Sequence, residues 1–204
     1  MIIFLQNIWQ VHMAQFQKSK KKFSQRTTIL IVGEGDTEEA FLKYLRGLLC
    51  SRQAGNTTTS ITIKNAYGKG PQHVVTQVIR HARIGDYDYK VAFLDTDIPW
   101  TTELKKQAKE NSIILIGNTP CIEATFLNML GKKTQGKNSA QCKKDLKNIL
   151  KNVDFTEKDD YSSWCTLKLL HNNRKNNSGL NRLLNVFEGQ LHLTIKTSIN
   201  LGDV

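Results

Sequence analysis

Three short acidic elements could do chemistry together: Gly33-Glu34-Gly35, Asp95-Thr96-Asp97, and Glu123 within Asn118-Thr-Pro-Cys-Ile-Glu123. Two aspartates two residues apart can face one loop cavity. Like charges that close raise one another's pKa unless a cation compensates. A hard divalent ion does so, and Mg²⁺ prefers one or two carboxylates with waters and substrate phosphates. An Asp-x-Asp alone is also what a surface loop collects. A glutamate between glycines at a strand-to-helix turn lets backbone approach a ligand closely, and the helix start behind it offers amides to a phosphate. Glu123 falls in the first turn of a helix, where the dipole alone favours an acid. Jointly the acids predict a cluster that holds Mg²⁺, with Mn²⁺ as a substitute, and acts on a phosphodiester. Lys69, in Gly68-Lys-Gly-Pro71, and Arg80, on the helix that follows, are weaker candidates for substrate phosphate.

The elements that must position these residues follow from hydrophobic patterning. Ile29-Leu30-Ile31-Val32 is a continuous β-branched run, suited to a strand buried on both faces. It leads into a helix with Asp36 or Thr37 as N-cap and Ala40, Phe41, Tyr44, Leu45 and Leu48 on one face. Residues 60–64 alternate as a second strand, and a helix carrying Val74, Val75, Val78 and Ile79 follows the Gly68–Pro71 turn. Residues 91–94 read as a third strand, 101–110 as a helix and 112–116 as a fourth strand. Pro120 and Cys121 then open another helix. Strand–helix repeated four times predicts an α/β fold: a four-stranded, mostly parallel sheet flanked by helices on both faces. Ligands of such sheets sit beyond the carboxyl ends of the strands. The acids follow the strand ends and so converge on one edge.

The chain divides into a basic arm at 1–26, an α/β catalytic domain at 27–130 and a basic, mainly helical C-terminal region at 131–204. That last region reads as a helical appendage. Its expected elements are a helix at 140–152 with Leu146, Ile149 and Leu150 inward, helices at 161–171 and 179–187, and a short strand at 191–199. Lys+Arg number 29 against 18 Asp+Glu, a net charge of +11. Such a balance favours polyanions through counterion release and argues against a small-nucleotide enzyme. Four scattered cysteines show no zinc spacing and fit reduced thiols in a cytoplasm. No apolar run reaches the ~20 residues of a membrane span, and the N-terminus lacks the basic region of a signal peptide. Met13 is a second candidate start, which would leave residues 1–12 untranslated.

Ile-Val-Gly-Glu-Gly-Asp-Thr-Glu38-Glu39 followed by Phe-Leu-Asp-Thr-Asp97 resembles the Toprim domain of topoisomerases, primases and nucleases. With the Gly68-Lys-Gly-Pro71 loop and Asn-Thr-Pro-Cys-Ile-Glu123 in the same order, the chain is similar to the RloB-type Toprim proteins of bacterial phage-defence loci. The resemblance covers roughly residues 27–130. Two departures stand out: Thr119 intervenes between Asn and Pro, and Ile122 with Ala124-Thr125 replaces the aromatic and tryptophan usual around the acid. The resemblance implies a Toprim fold, metal binding by Asp95 and Asp97, and an acid/base role for Glu34, which could instead hold a second ion. Glu123 matches the acid of the family's Asn-Pro-Cys-Phe-Glu element. The expected function is an Mg²⁺-dependent nuclease on RNA or DNA, serving as an anti-phage effector. The rival is a non-catalytic Toprim-like module that docks nucleic acid or a partner ATPase.

Overall fold

The computed structural model describes residues 26–50 and 59–192. Short β-branched runs form the strands: β1 (Thr27–Gly33), β2 (Thr59–Asn65), β3 (Tyr89–Asp95) and β4 (Ile113–Asn118). They make one sheet in the order β2-β1-β3-β4, with every neighbouring pair parallel. Parallel neighbours need crossovers, and helices supply them. These are α1 (Asp36–Leu49), α2 (Pro71–Ala82) and α3 (Thr102–Glu110), with α4 (Ile122–Met129) after β4. The α/β alternation read from the sequence is present.

Helices on both faces explain the strand sequences. Ile29, Ile31, Val91, Phe93 and Ile116 pack with residues of α1 and α4. Leu30, Val32, Ala92 and Leu94 pack with residues of α2 and α3. The central strands β1 and β3 therefore read as unbroken apolar runs. Edge strand β2 alternates instead, burying Thr59, Ile61, Ile63 and Asn65.

The C-terminal region is mainly helical: α5 (Ser139–Ile149), a 3₁₀ segment (Lys158–Ser163), α6 (Leu167–Asn173), a short 3₁₀ turn (Arg174–Asn176) and α7 (Ser178–Phe187). It shares the first core layer, to which Cys142, Leu146, Leu170, Leu183 and Phe187 all belong. Tyr161 is the wedge. Its ring meets Phe41 of α1 and Phe126 of α4, while its hydroxyl donates to Phe155 O at 2.9 Å. Such ring pairs each contribute about 0.5–1.5 kcal/mol beyond area burial.

Local expectations shift in several places. Gly35, not Asp36 or Thr37, caps α1. Pro120 precedes the cap of α4, which is Cys121. Ile149 is exposed rather than inward. The helix expected over 161–171 is broken at Trp164–Thr166. Tyr161 anchors one side of the break, and Thr166 accepts from Leu169 N to cap α6 on the other. Leu191 and His192 are helical, so no strand begins there. Residues 193–199 of that expected strand, and the basic arm apart from Arg26, lie outside the described residues. Among the described residues no helix is long and apolar enough to cross a membrane.

Two glycines of helices should respond oppositely to alanine. A Cβ on Gly47 in α1 meets nothing within 4 Å, whereas one on Gly179 in α7 would lie 2.2 Å from Gly117 O. Gly47→Ala should raise stability by about 0.5–1 kcal/mol by restricting the unfolded chain. Gly179→Ala should lower it by about 1–3 kcal/mol through overpacking against backbone. Urea denaturation midpoints of the two variants check both signs.

Candidate functional site

Parallel register brings all four carboxyl ends of the strands to one edge. Gly33 pairs with Asn65 and with Phe93, and Asp95 pairs with Asn118. Glu34 leaves β1 at this edge and Asp95 ends β3 beside it, with Asp95 N donating to Glu34 Oε2 at 3.2 Å. The Asp95-Thr96-Asp97 turn is then pinned by the segment after β4. Thr96 N donates to Asn118 O and Pro120 O, and Asp97 N to Pro120 O, each at 3.0 Å. Ile122 N, at the start of α4, donates to Asp95 Oδ1 at 3.0 Å. The Asn-Thr-Pro element thus works through its carbonyls, holding the aspartate turn in place.

Glu123, in the first turn of α4, is buried. Its Oε2 has no hydrogen-bond partner among the described residues. Leaving a buried carboxylate oxygen unsatisfied costs about 1–3 kcal/mol, more for a charged group. Such an atom therefore calls for an explanation.

A further acid enters that sequence reasoning did not single out as a site residue. Glu38, one turn into α1, is 6% exposed. Its Oε2 accepts from Gly35 N at 3.0 Å, half of a capping box whose other half glycine cannot supply. Gly33 explains the burial: a Cβ there would lie 2.9 Å from Glu38 Cβ. The first glycine of the motif thus admits Glu38, whereas the sequence assigned it to close approach of a ligand. The spacing from Gly35 to Glu38 was the available signal, and it reads as a helix cap alone.

The acids perturb one another. Asp95 is pushed up to about 9, first by burial and then by Glu38, Glu123, Glu34 and Asp97. Glu38 is pushed up to about 7, again by burial first and then by Glu123 and Glu34. Glu34 is raised by burial and by Asp97, against the lowering effect of the Asp95 amide and Lys143. Five carboxylates from three chain segments therefore share one electrostatic neighbourhood.

The cation in that neighbourhood comes from the C-terminal region. Lys143 Nζ stands 4.0 Å from Glu123 Oε1. Its own pKa is raised, chiefly by Glu123 and further by Asp95 and Glu38. One turn earlier on the same face of α5, Ser139 Oγ donates to Asp97 Oδ2 at 2.8 Å. Sequence reading placed Lys143 only within the basic C-terminal region and did not single out Ser139. The Asn138–Gln141 capping box fixes where α5 begins, but nothing local says which helix face meets the acids.

The two candidate phosphate contacts separate. Lys69 lies at the acid edge, in a loop tied to Glu34 O by Gly68 N at 2.7 Å. Arg80 lies in the last turn of α2, roughly 14 Å along the helix from Pro71, and is not brought to the acids.

The donor set is all carboxylate oxygen, which suits a hard divalent cation. The orphaned Glu123 Oε2 and the raised acids suit a bound cation. Among the described residues, no three His, Cys, Asp or Glu side chains already close around one point. Asp97 is exposed, and its oxygens accept from Ser139 Oγ and Ile98 N. Compared with protein-family models, curated proteins and solved structures, the chain matches none.

Proposed function

We propose that this chain is an Mg²⁺-dependent nuclease that hydrolyses phosphodiester bonds of RNA or DNA, on a Toprim-like version of the α/β fold. The observation that carries the reading is the buried, unpartnered Oε2 of Glu123, lying in one electrostatic neighbourhood with Asp95, Glu38 and Glu34. A soluble scaffold gains nothing from concentrating acids this way. A site for a cation and a polyanion does. Asp95 and Asp97 would hold Mg²⁺, with Mn²⁺ as a substitute; when bound, it would polarise a phosphoryl oxygen and offset developing charge.

The chain's own groups divide the remaining work. The Asp95 amide fixes Glu34 Oε2, so Glu34 Oε1 is the oxygen to receive the nucleophile's proton. Lys143 Nζ sets a positive charge beside the acids and can meet a non-bridging phosphate oxygen. Lys144 and Lys147 extend the exposed basic surface along α5, continuing a path for the backbone of a nucleic acid. Lys69 stands at the same edge, beyond Glu34. The setting in phage defence rests on the RloB-type resemblance of the motifs.

Purified protein incubated with RNA, single-stranded DNA and duplex DNA should cut at least one of them with Mg²⁺ and none with EDTA. Asp95→Asn should lose at least about 100-fold in rate, and the Mg²⁺-induced rise in melting temperature should vanish with it. Full cutting by Asp95→Asn sinks the assignment. Salt-dependent binding without cutting by the wild type selects the non-catalytic binding module.

Lys143→Met should slow cleavage by about 10- to 100-fold, the scale of one charge-assisted hydrogen bond, while Lys143→Arg retains most of the rate. Equal rates for the methionine variant and the wild type would remove Lys143 from the site.

A further inference from the structure

Tyr67 violates a local rule without a packing reason. It sits between β2 and the Gly68-Lys69-Gly70 turn with φ +59°, a left-handed conformation rare for bulky side chains. Its side chain is not buried in return, for the residue is 76% exposed. Among the described residues its ring meets no other aromatic ring. Glycine or asparagine would hold this turn at lower cost.

The backbone around Tyr67 is nevertheless clamped. Ala66 N donates to Gly33 O at 3.0 Å, and Gly68 N to Glu34 O at 2.7 Å. Tyr67 N donates to Asn65 Oδ1 at 2.7 Å. The amides on both sides of Tyr67 are therefore bonded to the two residues at the exit of β1, one of which is Glu34 itself. An aromatic ring is held in water, at a fixed place beside the acid edge, at a conformational cost. Lys69 follows two residues later and is exposed as well. An exposed ring beside a cation is the pairing that binds unstacked bases: the ring takes a base face and the cation takes a phosphate.

We infer that Tyr67 is a base-stacking platform and that the substrate is single-stranded nucleic acid at the point where it enters the acid edge. Base faces in a continuous duplex are already stacked and cannot use the ring. The inference deepens the nucleic-acid reading above and rests on it. Stacking is sequence-tolerant, because every base has a π face, so the platform selects strandedness rather than sequence.

The test is binding in EDTA, where no cleavage occurs. The probes are fluorescently labelled oligonucleotides, as single-stranded RNA, single-stranded DNA and the corresponding duplexes, followed by anisotropy. Tyr67→Gly should weaken binding of at least one single strand by about 5- to 150-fold, the equivalent of the ~1–3 kcal/mol that a stacked base contributes. Duplex binding should change less than about twofold, and Tyr67→Phe should bind as the wild type does. Tyr67→Gly should also keep or raise the melting temperature, because it relieves the left-handed backbone; a structural tyrosine would lower it. Undiminished single-strand binding by Tyr67→Gly, or an equal loss on duplex, overturns the inference. The arms that bind also show whether RNA or DNA is preferred. Because no metal is present, failure of the nuclease reading leaves the measurement intact. Failure of the wild type to bind any single-stranded probe in EDTA overturns the inference, while the nuclease reading stands or falls on cutting with Mg²⁺.

Discussion

Asp95, when ionised, places a negative charge where water is scarce and other acids are near. Burial alone raises its pKa, and Glu38, Glu123, Glu34 and Asp97 each add to the cost of ionisation. Asp95, Glu38 and Glu34 are all acids raised in the folded chain. For such acids, stability falls as pH rises from the unfolded carboxylate range towards the folded value. At neutral pH the fold therefore bears a penalty that the rest of the sheet must offset. The two apolar layers do so, with Ile29, Leu30, Val32, Val91 and Leu94 wholly buried. Strain of this kind persists where the surrounding structure over-determines it.

What over-determines it is backbone. Three amides at strand ends and helix starts, those of Asp95, Ile122 and Gly35, donate to carboxylates of the cluster. The carbonyls of Asn118 and Pro120 hold the aspartate turn from the other side. Because these bonds come from strand ends and helix starts, they are as rigid as the sheet. Moving Glu34, Glu38 or Asp95 out of the cluster breaks one of these bonds. This is the arrangement a preorganised electrostatic site requires, since fixed groups need little rearrangement when charge develops.

Most of the frame was legible because its signals are local. A continuous run such as Ile29–Val32 has few ways to be buried other than in a central parallel strand. Glu34 and Asp95 follow such runs directly, so their meeting at one edge followed from topology alone. Glu38 was less legible because its spacing has a sufficient local explanation as a helix cap, while its burial depends on the missing Cβ of Gly33. Ser139 and Lys143 were illegible for a different reason. Their approach is set by Cys142 and Leu146 packing against the sheet's helices, a contact between segments distant in sequence. The break at Trp164–Thr166 was missed because continuing the helix satisfies periodicity, whereas inserting Tyr161 between α1 and α4 satisfies the core. Arg80 failed from direction: a helix that begins at the acid edge runs away from it.

The dependence on α5 changes how the two halves of the chain relate. Read as an appendage, residues after 131 would add affinity for polyanions and nothing more. Instead they supply Lys143, 4.0 Å from Glu123, and a bond to Asp97. The Lys143 side chain is 61% exposed, so its pairing with Glu123 is screened and weak. A buried partner would neutralise the acids permanently and leave no role for a cation or a phosphate. An exposed one offsets part of the repulsion while the site is empty of substrate, yet can turn to a phosphate at little cost. The same weakness that makes Lys143 a poor stabiliser of the fold therefore suits it to a site whose charge must change on binding.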